Sequence, residues 1–156
     1  MLRSSVLRTL AVGVFAIPLA SCGGGPVRRI NPPVVTIQEL GVRPDGQWNL
    51  RLRVQNFSTV PMTIDTIESA FEIEDRPAGQ LYVRPALEIP GQAADVVETN
   101  VTPGSAAQGT LKNAPGSGSV GYRLVGHVTT RDPDKSFEIR YESRLSPVPG
   151  LPDTYR

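Results

Sequence analysis

The chain has 156 residues, with 16 Lys+Arg against 15 Asp+Glu, one His, one Cys and 6% aromatic residues. This near-neutral balance excludes a whole-molecule electrostatic pull on nucleic acid, and a single cysteine excludes an intramolecular disulfide framework. One histidine and one cysteine are also too few ligands for a zinc site, while the length suits one domain with a real core.

The chain starts with Arg3 and Arg8 and an apolar run from Leu10 to Leu19 that is interrupted by Gly13 and Pro18. Leu19, Ala20 and Ser21 then lead directly into Cys22, which is followed by Gly23-Gly24-Gly25-Pro26. A charged start, a short apolar centre and small residues at the cut are the parts of a secretory signal. The run is too short for a transmembrane helix, which needs about 20 apolar residues. The set Leu19-Ala20-Ser21-Cys22 resembles the lipobox of bacterial lipoproteins. That resemblance implies a diacylglycerol on the Cys22 sulfur, cleavage just before Cys22, and acylation of the new amino group. An ordinary signal peptide cut at a small-x-small site is the rival reading and would leave Cys22 as a free thiol. On the lipobox reading residues 1–21 are a signal peptide. Their loss takes Arg3 and Arg8 from the 16 basic residues, leaving 14 against 15 acidic ones and a net charge of −1. Gly23 stands after the cysteine, where an aspartate would resemble an inner-membrane retention signal. The expected address in a Gram-negative cell is therefore the periplasmic face of the outer membrane, with the membrane itself as the first partner.

Residues 22–31 (CGGGPVRRIN) read as a flexible tether, on which Arg28 and Arg29 either attract an anionic leaflet or are simply solvated. From 32 to 146 the pattern has period two. Val35, Ile37 and Leu40 mark a first strand, and Trp48 to Gln55 alternates four apolar with four polar residues, the signature of a strand with one wet face. Asp45-Gly46 before it signals a turn. Met62 and Ile64 share one parity and Ile67, Phe71 and Ile73 the other, so a bulge or a break is predicted near Asp65-Thr66. Residues 74–79 read as a turn. Leu81 and Val83, Leu87 and Ile89, and Val97 to Val101 make further short strands, with Pro90-Gly91 turning the chain between them. Residues 104–119 read as a long connection with a short helical turn around Ala106 to Leu111. Tyr122 to Val128 and Phe137 to Leu145 form two last strands, with Asp132-Pro133-Asp134-Lys135 as a hairpin between them. Residues 147–156 read as an extended, mobile, proline-rich tail. The fold class expected is all-β: an antiparallel sandwich of the fibronectin-type-III or immunoglobulin kind with about seven strands.

The order of these segments resembles the late-embryogenesis-abundant type 2 family, the water-stress and hypersensitive-response domain, from about Pro33 to Leu145. The pieces are Pro33-Val34-Val35-Thr36-Ile37, Leu50 to Asn56, Val60-Pro61-Met62-Thr63-Ile64, Ile89-Pro90-Gly91 and Tyr122-Arg123-Leu124-Val125-Gly126. One departure stands out. The family turn of the Asn-Pro-Asn type is Asn56-Phe57-Ser58 here, with the proline displaced to Pro61. The resemblance implies a fibronectin-like sandwich without a catalytic centre and an association with desiccation and other stresses.

Candidate chemistry is sparse. His127 falls on the polar face of its strand beside Arg123 and Thr129, and nothing in the sequence supplies the nucleophile and orienting acid a catalytic histidine needs. Glu68, Glu72, Glu74 and Asp75 form an acidic stretch. Calcium accepts clustered carboxylates, but no twelve-residue ligand loop is present, and a solvated sheet face is the better reading. Residues 116–119 lack the Gly-x-Ser-x-Gly frame of a nucleophile elbow. No cofactor, metal or catalytic residue is expected. Arg51, Arg53, Arg123, Arg140 and Arg144 alternate with core residues. They are expected either to keep an exposed sheet soluble or to line one face for an anionic partner. Envelope protein, glycan and phospholipid are the partner classes in view, and nucleic acid is not. Trp48 is expected in the core.

Overall fold

The computed structural model describes Gly25, residues 27–113 and residues 118–156. Among these residues it contains nine strands and one helix: β1 Val34–Val42, β2 Trp48–Gln55, β3 Met62–Ile73, β4 Arg76–Val83, β5 Leu87–Ile89, β6 Ala94–Val101, α1 Ser105–Lys112, β7 Val120–Asp132, β8 Lys135–Leu145 and β9 Thr154–Tyr155. The strands form two antiparallel sheets, β6-β2-β1-β9 and β4-β3-β7-β8, with β5 paired to the start of β3. Three strands β6-β2-β1 against four strands β4-β3-β7-β8 is the arrangement of a fibronectin-type-III sandwich. The all-β sandwich is as expected. The strands number nine where about seven were expected, and β9 falls in a segment read as tail.

Alternation decides what each strand buries. On β2, Trp48, Leu50, Leu52 and Val54 are buried, while Asn49, Arg51, Arg53 and Gln55 point outward. On β3 the buried set is Met62, Ile64, Ile67, Ser69, Phe71 and Ile73. The parity change falls where the β3–β7 register slips between Ile64 and Thr66, so the predicted bulge is there. A second slip, between Ile37 and Glu39 of β1, brings Leu40 onto the same inner face as Val35 and Ile37, and all three are buried. Trp48 packs edge-on against Phe71 across the sandwich, with ring centroids 6.0 Å apart and planes at 68°. Such a geometry sets the ring edge of one aromatic against the face of the other.

Four segments differ from expectation. The turn over 74–79 contracts to Glu74 and Asp75, both at positive φ (46° and 59°), as a two-residue hairpin of matching twist requires. β4 then begins at once, and Pro77 is accommodated because β4 is an edge strand. The long connection holds an eight-residue helix rather than a single turn, burying Ala107 and Leu111.

The tail of 147–156 is not free. Its β9 pairs with Leu40 and Gly41 of β1, and Arg156 and Ser146 exchange both backbone hydrogen bonds. Tyr155 is buried and donates its hydroxyl to the Leu111 carbonyl at 3.2 Å. The tail docks because one aromatic side chain reaches the core beside α1.

The tether expected over 22–31 is likewise fixed in its second half. Arg29 and Thr59 are joined twice, Arg29 N–H donating to Thr59 Oγ1 at 2.9 Å and Thr59 N–H to the Arg29 carbonyl at 3.0 Å. Thr59 Oγ1 donates to the Val27 carbonyl, Asn31 N–H donates to Ser58 Oγ, and Asn31 Nδ2 donates to the Phe57 carbonyl. Residues 27–31 therefore run along the 57–59 loop as a strip of the domain. Leu19, Ala20, Ser21 and Cys22 lie outside the described residues.

Candidate functional site

The five arginines do not share a face. Arg51 and Arg53 lie on β2 and project from the outer face of one sheet. Arg123 on β7 and Arg140 and Arg144 on β8 project from the outer face of the other. Alternation tells which side of its own strand a residue takes, but the strand's choice of sheet puts these two groups on opposite sides of the sandwich.

On the β7–β8 face the arginines meet carboxylates. Arg123 contacts Glu72 at 2.8 Å, Asp75 at 2.7 Å and Glu142 at 2.8 Å. The hydrogen bond to Glu142, then the charges of Glu142, Asp75 and Glu72, hold the guanidinium pKa above its ordinary value. Cross-strand register explains the cluster, since Arg123 lies opposite Glu72 on β3 and opposite Glu142 on β8. Arg144 stands 3.6 Å from Glu74 and also bonds Ser119, and Arg140 stands 3.8 Å from Glu138. Glu72, Glu74 and Asp75 of the acidic stretch are thus the counter-charges of Arg123 and Arg144, while Glu68 takes part in no ion pair among the described residues. Glu74 has a further role, accepting from the Gly121 N–H. His127 is exposed on the same face, between Glu68 and Glu138 in register. Among the described residues, no group of three His, Cys, Asp or Glu side chains is placed to hold a metal ion.

On the other sheet Arg51 Nε lies 3.5 Å from Glu98, while Arg53 is exposed and takes part in no ion pair among the described residues. Asn49 Nδ2 donates to Asn100 Oδ1 beside them.

Two further features stand apart from the charged faces, and only the first was not singled out from the sequence. The first is a cleft of about 760 Å³ between the β1–β2 turn, α1 and the folded-back tail. Its apolar wall includes Trp48, Leu111 and Tyr155, with Arg43 and Lys112 among its lining residues. It exists because the tail docks; the signal for it was Tyr155, an aromatic residue after a run of Pro and Gly. The second is Asn56, which has no exposed surface. Its Nδ2 lies within hydrogen-bond distance of the carbonyls of Val60 (2.9 Å), Ile89 (3.0 Å) and Pro90 (3.1 Å), and its Oδ1 accepts from Ser58 N–H at 2.8 Å. Gly91 sits against this loop so closely that a Cβ there would come within 2.8 Å of the Thr59 carbonyl. The asparagine of the turn is therefore a structural cross-link rather than a ligand.

No protein-family model matches the sequence, and no curated protein matches it. Several solved structures resemble the fold. A protein from Archaeoglobus fulgidus has a TM-score of 0.43 at 11% identity, over 77% of this chain and 98% of its own. A protein from Arabidopsis thaliana solved in solution has a TM-score of 0.48 at 15% identity, over 75% of this chain and 77% of its own. A protein described as late embryogenesis abundant (LEA), also solved in solution, has a TM-score of 0.48 at 17% identity, over 74% of this chain and 71% of its own.

Proposed function

We propose that this chain is a non-enzymatic lipoprotein of the bacterial envelope, a single β-sandwich held to the membrane through Cys22 with a stress-protective or interaction role. The observation that carries the reading is the position of the only cysteine, directly after Leu19-Ala20-Ser21 at the end of a charged-then-apolar leader. Two or three acyl chains anchor such a protein stably, since each buried CH₂ contributes about 0.8 kcal/mol. Among the described residues no helix is long and apolar enough to cross a membrane, so a lipid at Cys22 is the attachment the reading depends on. The protective role rests on the order of segments that resembles the late-embryogenesis-abundant type 2 family.

Fractionation of cells tests the attachment. The wild-type chain is expected in the membrane pellet and the Cys22→Ser variant in the soluble fraction. A Cys22→Ser chain that remains in the pellet would sink the reading. The protective role predicts lower survival of drying when the gene is deleted and recovery when it is restored.

A second reading, a dedicated binding module, is favoured by the cleft beside the tail, whose lining combines an apolar floor with Arg43 and Lys112. Cross-linking in whole cells separates the two. One dominant, saturable partner supports the module, and diffuse labelling supports general protection.

A further inference from the structure

We propose that the end of the sandwich formed by residues 27–31 and 57–59 is a bilayer-facing surface, which lays the domain against the headgroups of an anionic phospholipid membrane. The inference rests on attachment at Cys22 and adds an orientation to it.

Only Cys22 to Pro26 remain as leash once residues 27–31 are bonded to the 57–59 loop. Five residues span at most about 17 Å, so this end cannot move far from an anchored lipid. The same strip carries two of the large apolar side chains the protein exposes, Val27 at 64% and Phe57 at 48%. Arg28 and Arg29 between them are exposed, and neither is in an ion pair among the described residues, in contrast to Arg123, Arg140 and Arg144. No acidic residue occurs in 27–31 or 57–60. An aromatic ring with nearby uncompensated cations is the composition that interfacial attachment uses.

The loop that displays Phe57 is rigid. The Phe57 carbonyl accepts from Asn31 Nδ2 at 2.9 Å and from Gln92 Nε2 at 2.7 Å, and Ser58 N–H is held by buried Asn56. A loop backbone held by the side chains of Asn31, Gln92 and Asn56 loses little freedom on contact, which favours docking.

The test uses the mature chain from Cys22, coupled through its only thiol to a maleimide lipid in protein-free vesicles containing anionic phospholipid. Attachment is then independent of cellular lipidation. Phe57→Trp and, as a second probe, Val27→Trp report contact with brominated acyl chains, and Tyr82→Trp on the outer face of the other sheet is the control. Buried Trp48 supplies a constant background. The expected result is a blue shift and loss of the added emission at positions 57 and 27, none at 82, and recovery of emission on Arg28→Glu with Arg29→Glu or in high salt. Equal emission at all three positions would overturn the docking surface, including in favour of a protein partner, and would leave the anchor itself to the fractionation of Cys22→Ser.

Discussion

Asn56 joins its own turn to the end of β5 through one buried amide. Replacing it with Ala removes the Nδ2 contacts to the Val60, Ile89 and Pro90 carbonyls and leaves the buried Ser58 N–H without its acceptor. We expect Asn56→Ala to lower stability by about 3 kcal/mol, read as a shift of the urea unfolding midpoint. A change within experimental error would show that the turn does not depend on this side chain. Tyr122 acts similarly across the sandwich, accepting a hydrogen bond from the Ile37 N–H at 3.2 Å. On β1, β9 reaches Leu40 and Gly41, and the Tyr122 hydroxyl serves Ile37 instead. Burial pushes the phenol up to about 12 from its ordinary 10. The folded state therefore keeps a proton that the unfolded chain loses first, and stability is full below about pH 10 and falls as pH rises towards about 12. Burial raises the Tyr155 phenol as well. The Tyr122→Phe variant is expected to be less stable at neutral pH and to lose less between pH 10 and 12. Parallel alkaline slopes for wild type and variant would contradict this account. On the charged face, removing Arg123 leaves Glu72, Asp75 and Glu142 facing one another. The Arg123→Ala deficit should shrink in high salt, which screens exposed charges.

At the scale of elements, the sequence pattern located most strands because each has one wet face. The run from Trp48 to Gln55 shows its buried and exposed residues directly, and the parity change in β3 located a bulge. The bulge in β1 was written in the spacing of Ile37 and Leu40, which a strict alternation does not allow. What alternation could not show was docking by a single residue. Tyr155 helps hold the tail and Thr59 helps hold the tether, each through contacts with distant segments. Gly126 marks another such contact. A Cβ there would overlap the Glu68 carbonyl and come within 2.6 Å of Ser69 Cα, because β3 and β7 approach closely at this pair. The Gly126→Ala variant should separate these central strands and lose more stability than Gly41→Ala, whose added Cβ meets no atom within 4 Å. Thermal unfolding of the two variants compares them, and equal melting temperatures would refute the close approach. Tyr155→Ala should cost about 3 kcal/mol and should expose the 147–156 segment to proteolysis. Retained protease resistance would show that the backbone pairing of β9 suffices without the ring.

For the whole molecule, the order of strands within each sheet is a property of crossings between sheets, and no local pattern records it. This is why five arginines with the same alternation, for which a single shared face was one of two readings, stand on two. The resemblance to the late-embryogenesis-abundant type 2 family implied the fibronectin-like arrangement that the two sheets adopt. The proposed function draws on a different part of the chain, the leader and its cysteine, and on the way residues 27–31 are bound to the sandwich. On that proposal the domain is presented by one end to a membrane. The central claim is the lipid at Cys22, and the most direct measurement is the intact mass of the chain purified from membranes, with fragmentation of its first peptide. The account predicts a mature chain that begins at Cys22 and carries a diacylglycerol on sulfur and an acyl group on nitrogen. A chain that begins elsewhere, or begins at Cys22 with a free thiol, would contradict it.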